Sequence, residues 1–275
     1  MISDFKGEYI CGRKSQAIAD KVWDTDRTDS IGDLKDKSII WCVRKRVEEL
    51  FIELNRHPYK KVVLVTCNGD WCVDEKLFQK KSECVKVWFS QNVDYKHSAL
   101  FHFPIGLEND FGPSKGRYTD YQYLIGNVNS DVNDCYKDKS QLYCNFNVKN
   151  NVNYRSRALR HLGAIGLDSS HRRKSYIEYC EDISKHMFIM SPNGNGIDCH
   201  RTWESLYMGS VPVVQSHFMF DGYRNLPIIQ VDAVEDINAD WIREKVEWYN
   251  SSFFSYEELK MSYWLEKITK ECFKL

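Results

Sequence analysis

The chain has 275 residues, with 38 Lys and Arg against 39 Asp and Glu, a formal net charge of −1. That length holds one large domain or two small ones with ample core, and the balanced charge gives no global field to gather nucleic acid or an anionic membrane. No apolar run is long enough for a membrane span and the opening MISDFKGEYICGRK has no apolar signal core, so the expectation is a protein of the cytoplasm.

Residues 1–60 read as helical and mixed, ending in an amphipathic helix from about Ile39 to Asn55 that His57-Pro58 terminates. Val62 to Thr66 is a continuous apolar run, β-branched except at Leu64, suited to a strand buried on both faces of a parallel sheet. Asn68-Gly69-Asp70 follows at its C-terminal end, where open α/β sheets place ligands. Val85 to Phe89 and Leu100 to Pro104 read as further strands. Asp110 to Gln141, polar with several Gly, Asn and Asp, reads as a connection between two lobes. A second α/β set then runs through a strand at Leu142 to Val148, helices near Asn153 to Leu162 and Ser175 to Ile183, and strands at Met187 to Met190, Val211 to Gln215 and Ile228. Two tail helices are expected, about Ala239 to Tyr249 and Tyr256 to Phe273, the second with a Ser255/Glu258 capping box.

The ten cysteines are scattered and form no CxxC pair, which argues against a zinc knuckle and for reduced, buried thiols. Cys67 and Cys72 flank a loop and are one pair that a disulfide would join.

The most informative stretch is Phe188 to Val214. It reads as a buried strand, an Asn- and Gly-rich turn, a helix with Asp198 as N-cap and Gly209 as stop, and a second strand. Converging backbone N–H groups and a helix dipole of about half a positive charge make such a turn a phosphate site. His200 and Glu204, four residues apart, share a face beside Arg201. Cations or donors for a pyrophosphate and a carboxylate for ribose hydroxyls are what a nucleotide diphosphate requires.

Ser191–Val214, SPNGNGIDCHRTWESLYMGSVPVV, resembles the donor-site signature of exostosin-like glycosyltransferases: Ser-Pro, a Gly-Asn-Gly turn, an acid, a His-Arg pair, Trp-Glu and a small-residue-Pro strand. WFSQNVDYKHSALFHFPIGLEND and LYCNFNVKNNVNYRSRALRHL resemble two further segments of that family, and the three span roughly Val85 to Val214 in order. Ser98 stands where the family has Pro after Lys-His. The short chain looks most like members encoded by large DNA viruses of algae, which would place it in the host cytoplasm. The resemblance implies an α/β GT-B fold with two Rossmann-like lobes, an interlobe cleft and a C-terminal helix crossing back to the first lobe. It also implies inverting transfer of a hexose or pentose, xylose among them, from a UDP-sugar to a glycan hydroxyl. The lobes are expected at 1–125, with the tail 255–275, and at 140–250.

Neither a metal nor a further cofactor is expected. Asp24-Thr25-Asp26, the one Asp-x-Asp, precedes the first convincing strand and reads as a polar loop or cap. The leaving diphosphate then needs fixed donors. The candidates are Ser191, Asn193, the N–H groups of Asn195 and Gly196, and Arg155 or Arg157, Arg155 matching the family arginine better and Arg157 reading equally as a solvated helix face. Glu204 is expected on the ribose, or in an ion pair with Arg201, and His200 on a phosphate or the sugar. Asp198 is read as cap, sugar contact or both; Trp203 and Tyr207 as core or a wall under the nucleotide. The general base is expected in the first lobe, best at Asp70, with Asp74, Asp94 and Glu108 as rivals; partial burial would raise a carboxylate's pKa there, which the sequence does not show. Two alternatives stay open: a non-catalytic carbohydrate- or nucleotide-binding scaffold of the same fold, and another nucleotide-dependent α/β enzyme. The second lacks a GxxxxGK[ST] loop and a complete dinucleotide fingerprint.

Overall fold

The computed structural model describes residues 8–108, 142–167, 169–170 and 174–275; the expected connection Asp110 to Gln141 lies outside them. In chain order the strands are β1 (Lys21–Trp23), β2 (Ser38–Val43), β3 (Val62–Cys67), β4 (Val85–Ser90), β5 (Leu100–His102), β6 (Leu142–Asn145), β7 (Ser169–Ser170), β8 (Phe188–Ser191), β9 (Val211–Gln215) and β10 (Ile229–Val231). The α-helices are α1 (Val47–Leu54), α2 (Glu75–Gln79), α3 (Val152–Ala164), α4 (Tyr176–Ser184), α5 (His200–Tyr207), α6 (Ala239–Ser251) and α7 (Met261–Lys274). They divide into two compact units. One, the N-terminal unit, comprises Ile10–Ile105, Gly196–Asp198 and Lys260–Leu275. The other, the C-terminal unit, comprises the described residues within Met1–Tyr9, Gly106–Asn195 and Cys199–Leu259.

The N-terminal unit is built on a parallel sheet of strand order β1-β2-β3-β4-β5. β2 and β3 are buried throughout, as strands covered on both faces must be. Trp88 of β4 meets Phe51 of α1 edge to face, while Trp41 of β2 donates its indole N–H to the Gly12 carbonyl and Ser15 hydroxyl. Those two indoles stand in adjacent registers, Ile40–Leu64–Trp88 and Trp41–Val65–Phe89, so the two faces receive different covers. α7 packs on β2, β3, β4 and the Lys14–Ile18 turn. It buries Met261, Trp264, Ile268 and Cys272 at helical spacing.

The sequence reading extended a helix from Ile39. Instead Ser38–Val43 is a strand, and the helix begins at Val47 after a tight turn over Arg44–Arg46. Burial of Ile39 to Val43 between β1 and β3 overrides the helical spacing that continues beyond them. The Ser255/Glu258 box does not form either. Glu258 sits in a single turn, Glu257–Leu259, and α7 starts at Met261 behind Lys260 with no side-chain cap.

The C-terminal unit has a parallel sheet of order β10-β9-β8-β6-β7, with β7 a two-residue partner on β6. The chain goes outward from β6 to β7, then returns past β6 to β8 and continues to β9 and β10. Winding therefore reverses between β6 and β8, the topological switch point where open α/β sheets bind ligands at the strands' C-terminal ends. α3 is capped by Asn151 and places Tyr154, Ala158 and Leu162, each four residues on, against this core. α4 carries a full capping box, Ser175 with Glu178. Among the described residues no helix is long and apolar enough to cross a membrane.

Candidate functional site

Two loops of the C-terminal unit flank the switch point: Phe146–Asn151 after β6 and Pro192–Asn195 after β8. Arg155, one turn into α3, ties them together. Its Nε donates to the Asn193 carbonyl at 2.9 Å, one terminal nitrogen to the Asn147 carbonyl at 2.6 Å and the other to the Pro192 carbonyl at 3.0 Å. Arg155 is buried, and that burial lowers its pKa. Arg201, in the first turn of α5, is the second cation here. Both guanidinium groups lie over the Phe146 ring, Arg155 at 5.4 Å and Arg201 at 5.8 Å from its centroid, and Arg201 lies 5.5 Å from the Tyr179 ring. Among the described residues, Arg155 and Arg201 form no direct ion pair with a carboxylate.

Glu204 is buried, and its two oxygens accept from Tyr176 at 3.3 Å and Tyr179 at 2.8 Å. The Tyr179 hydroxyl also accepts from Arg201 Nε at 3.2 Å. It therefore bridges cation and carboxylate, and the direct Glu204–Arg201 pair, the alternative reading of Glu204, is replaced by this relay. Burial and then the negative charge of Glu204 push the Tyr179 hydroxyl well above its ordinary range. For Arg201, burial opposes the charge, but Tyr179 and Glu204 outweigh it and hold the group charged.

The other expected residues of this unit fall as follows. Ser191 is 2% exposed, and its hydroxyl pairs with Thr202 at 2.9 Å, joining β8 to α5. The Asn193 side-chain oxygen is buried with no hydrogen-bond partner among the described residues, an acceptor left for a ligand's N–H or O–H. Asn195 is exposed. His200 Nδ1 lies 2.7 Å from the Gly106 carbonyl. A carbonyl only accepts, so Nδ1 carries the proton, and in the neutral ring Nε2 is the basic nitrogen. Arg157 pairs with Glu235 at 3.1 Å and lies over Tyr154, the solvated helix face that was its other reading. Trp203 and Tyr207 are core residues.

Three expected residues belong to the N-terminal unit. Asp198 does not cap α5; Cys199 stands at that position, with no side-chain bond to the helix's first N–H groups. The Asp198 carboxylate is drawn instead to His102 Nε2 and to the Ile105 N–H at 2.7 Å, and its own N–H donates to Asn92 Oδ1 at 2.8 Å. Its side chain has no exposure, so it has no surface to offer a transferred sugar. Gly196 is required by close approach: a Cβ there would stand 2.6 Å from Asn92 Oδ1. Asp70 is exposed in the loop after β3. Of its rivals, Asp74 caps α2 through the Leu77 N–H at 2.8 Å, and Asp94 is exposed.

Asp24 of the Asp-x-Asp accepts from Gln16 and from the Thr25 N–H and faces Arg13, a polar loop directly after β1. Among the described residues no three His, Cys, Asp or Glu side chains group as metal ligands. Cys67 and Cys72 are free thiols, not a disulfide; Cys67 meets the Ser15 hydroxyl and burial pushes it up to about 12.

Sequence reasoning missed Tyr176, Tyr179, Phe146 and His102. The two tyrosines are three apart in the first turn of α4, a spacing that puts both on one face. Nothing local marks Phe146 or His102. A scan against protein-family models finds no match for this chain, and a search of curated proteins finds none.

Proposed function

We propose that the chain is an inverting glycosyltransferase of the exostosin-like, GT-B kind, taking a hexose or pentose from a UDP-sugar to a hydroxyl of a glycan. The observation that carries this reading is the pair of cations on Phe146. Buried positive charge without a directly paired carboxylate is costly, and two such groups repel, so a site holding both is best satisfied by an anion of more than one charge. A diphosphate at a topological switch point is that anion.

In this reading Arg155 and Arg201 take the diphosphate, helped by the amides of Asn195 and Gly196. Glu204, oriented by its two tyrosines, accepts from the ribose hydroxyls, and Asn193 Oδ1 accepts from the nucleoside or sugar. His200 Nε2 donates to the leaving phosphate when the ring is protonated. The acceptor oxygen bonds to the anomeric carbon as the bond from that carbon to the phosphate oxygen breaks. The electron pair leaves with UDP and the acceptor proton passes to Asp70. No metal is assigned a step.

Calorimetric titration tests this. UDP should bind equally with and without EDTA, while ATP and NAD should not bind measurably. Binding by ATP or NAD in place of UDP overturns the nucleotide assignment, and a strict requirement for a divalent ion overturns the cation-pair mechanism. A UDP-sugar that binds but is neither hydrolysed nor transferred would favour the scaffold reading.

A further inference from the structure

Trp71 is 66% exposed and directly follows Asp70 beyond the C-terminal end of β3. The other large exposed aromatics described lie elsewhere: Tyr59 precedes β3, Phe273 is in the last turn of α7 and Phe253 belongs to the C-terminal unit. Trp71 is thus the one large exposed aromatic, among the described residues, at the ligand-binding end of the N-terminal sheet.

Its loop is held firmly. Arg44 Nε donates to the Trp71 carbonyl at 3.2 Å and a terminal nitrogen to the Cys72 carbonyl at 2.9 Å. Gly69 packs so closely on Arg44 that a Cβ there would stand 2.6 Å from the arginine's own. Asn68, at φ 59, takes its N–H to Gln91 Oε1 at 2.9 Å, and Asn92 Nδ2 donates to the Gly69 carbonyl at 3.2 Å. An exposed indole on a flexible loop would be a surface accident. An exposed indole on a loop fixed at four backbone positions, Asn68, Gly69, Trp71 and Cys72, has already lost the backbone entropy that binding otherwise costs.

We infer that Trp71 and Asp70 form an acceptor subsite, the indole face receiving the C–H face of a pyranose ring and the carboxylate receiving its hydroxyls. The pairing selects the ligand. A sugar ring presents an apolar face and a rim of O–H donors, which match an aromatic surface and an adjoining carboxylate. The inference rests on the transferase reading for what the sugar is there to do, but the subsite stands as carbohydrate binding without it.

Saturation-transfer NMR tests it with the methyl glycosides of β-xylose, β-glucose, β-galactose and α-mannose, on wild type, Trp71→Ala and Trp71→Phe. At least one glycoside should show transfer to its ring C–H protons. That signal should fall roughly fivefold or more in Trp71→Ala and be largely kept in Trp71→Phe. UDP affinity, measured on the same samples, should be unchanged by Trp71→Ala. Silence from all four glycosides in wild type, or equal signals in wild type and Trp71→Ala, overturns the subsite. So does a wild-type dimer that Trp71→Ala dissociates, which would make the indole a self-association contact. Glycoside binding that depends on Trp71 in a chain that does not bind UDP supports the subsite and removes the transferase reading.

Discussion

The Asp198 carboxylate accepts a hydrogen bond from His102 Nε2 at 3.0 Å, and the same oxygen accepts from the Ile105 N–H. A carboxylate only accepts, so Nε2 carries the proton. The Asp198 side chain is fully buried and that of His102 nearly so, so removing the carboxylate takes a shielded acceptor from both donors. Asp198→Ala should lower stability by about 2–4 kcal/mol, and Asp198→Asn, which keeps one acceptor, by less. Urea midpoints of the three proteins check this. Equal midpoints would show that the carboxylate does not anchor its loop.

Arg155 separates charge from shape. Three carbonyls from two loops converge on its planar fork, and a lysine supplies the charge without the fork. Arg155→Lys should therefore behave more like Arg155→Ala than like wild type, each weakening UDP by about tenfold or more, with Arg155→Ala also losing about 2–4 kcal/mol of stability. Calorimetry and urea unfolding read the two effects. Full UDP affinity in Arg155→Lys would show that charge alone suffices.

Glu204→Ala should weaken UDP binding by about 1.5–3 kcal/mol, the scale of a hydrogen bond to a charged group. Tyr179→Phe removes the hydroxyl that joins Glu204 to Arg201, and should weaken UDP by a smaller factor. Unchanged affinity in Glu204→Ala would remove that residue from the ribose.

The cation pair was only half legible in the sequence. Arg155 and Arg201 stood out as residues, because Arg155 follows an Asn-rich turn and Arg201 an Asn- and Gly-rich one. What joins them is Phe146, from a third segment, whose ring serves both and which no local pattern marks. The same holds for Asp198. Its place before a helix reads as a cap, yet the stronger claim on its carboxylate comes from His102 and Ile105, some 93 and more residues away in the chain. Strands went the other way. β3 was plain because Val62 to Val65 is apolar without a break and β-branched at every position but Leu64. β2 was hidden because only the turn at Arg44–Arg46 separates it from an amphipathic helix, and the apolar spacing runs through both. β1, three residues long, carries too little pattern to be read at all.

Asp70→Asn should leave UDP affinity nearly intact while lowering turnover at least about a hundredfold, the lower range for loss of a general base. The measurement is initial rate with saturating donor and acceptor. Near-normal turnover moves the base to Asp94 or Glu108.

Tyr154 gives a test at alkaline pH. Its hydroxyl is buried with no hydrogen-bond partner among the described residues, and burial pushes its pKa up to about 12. The unfolded chain ionises this tyrosine near its ordinary value, about 10, while the folded chain still holds the proton. Above that value the unfolded state binds fewer protons, so stability falls as pH rises. This contribution is complete below about 10 and is lost progressively toward about 12. Tyr154→Phe removes both the titration and an unmet polar group. At neutral pH it should be neutral or stabilising by up to about 1 kcal/mol. Between the two pH values its unfolding midpoint should drop less steeply than that of wild type, the remaining slope belonging to the other groups that burial raises, among them Tyr143, Tyr179, Tyr256, Cys42 and Cys67. Parallel pH profiles for the two proteins would show that the Tyr154 hydroxyl ionises as freely in the fold as out of it.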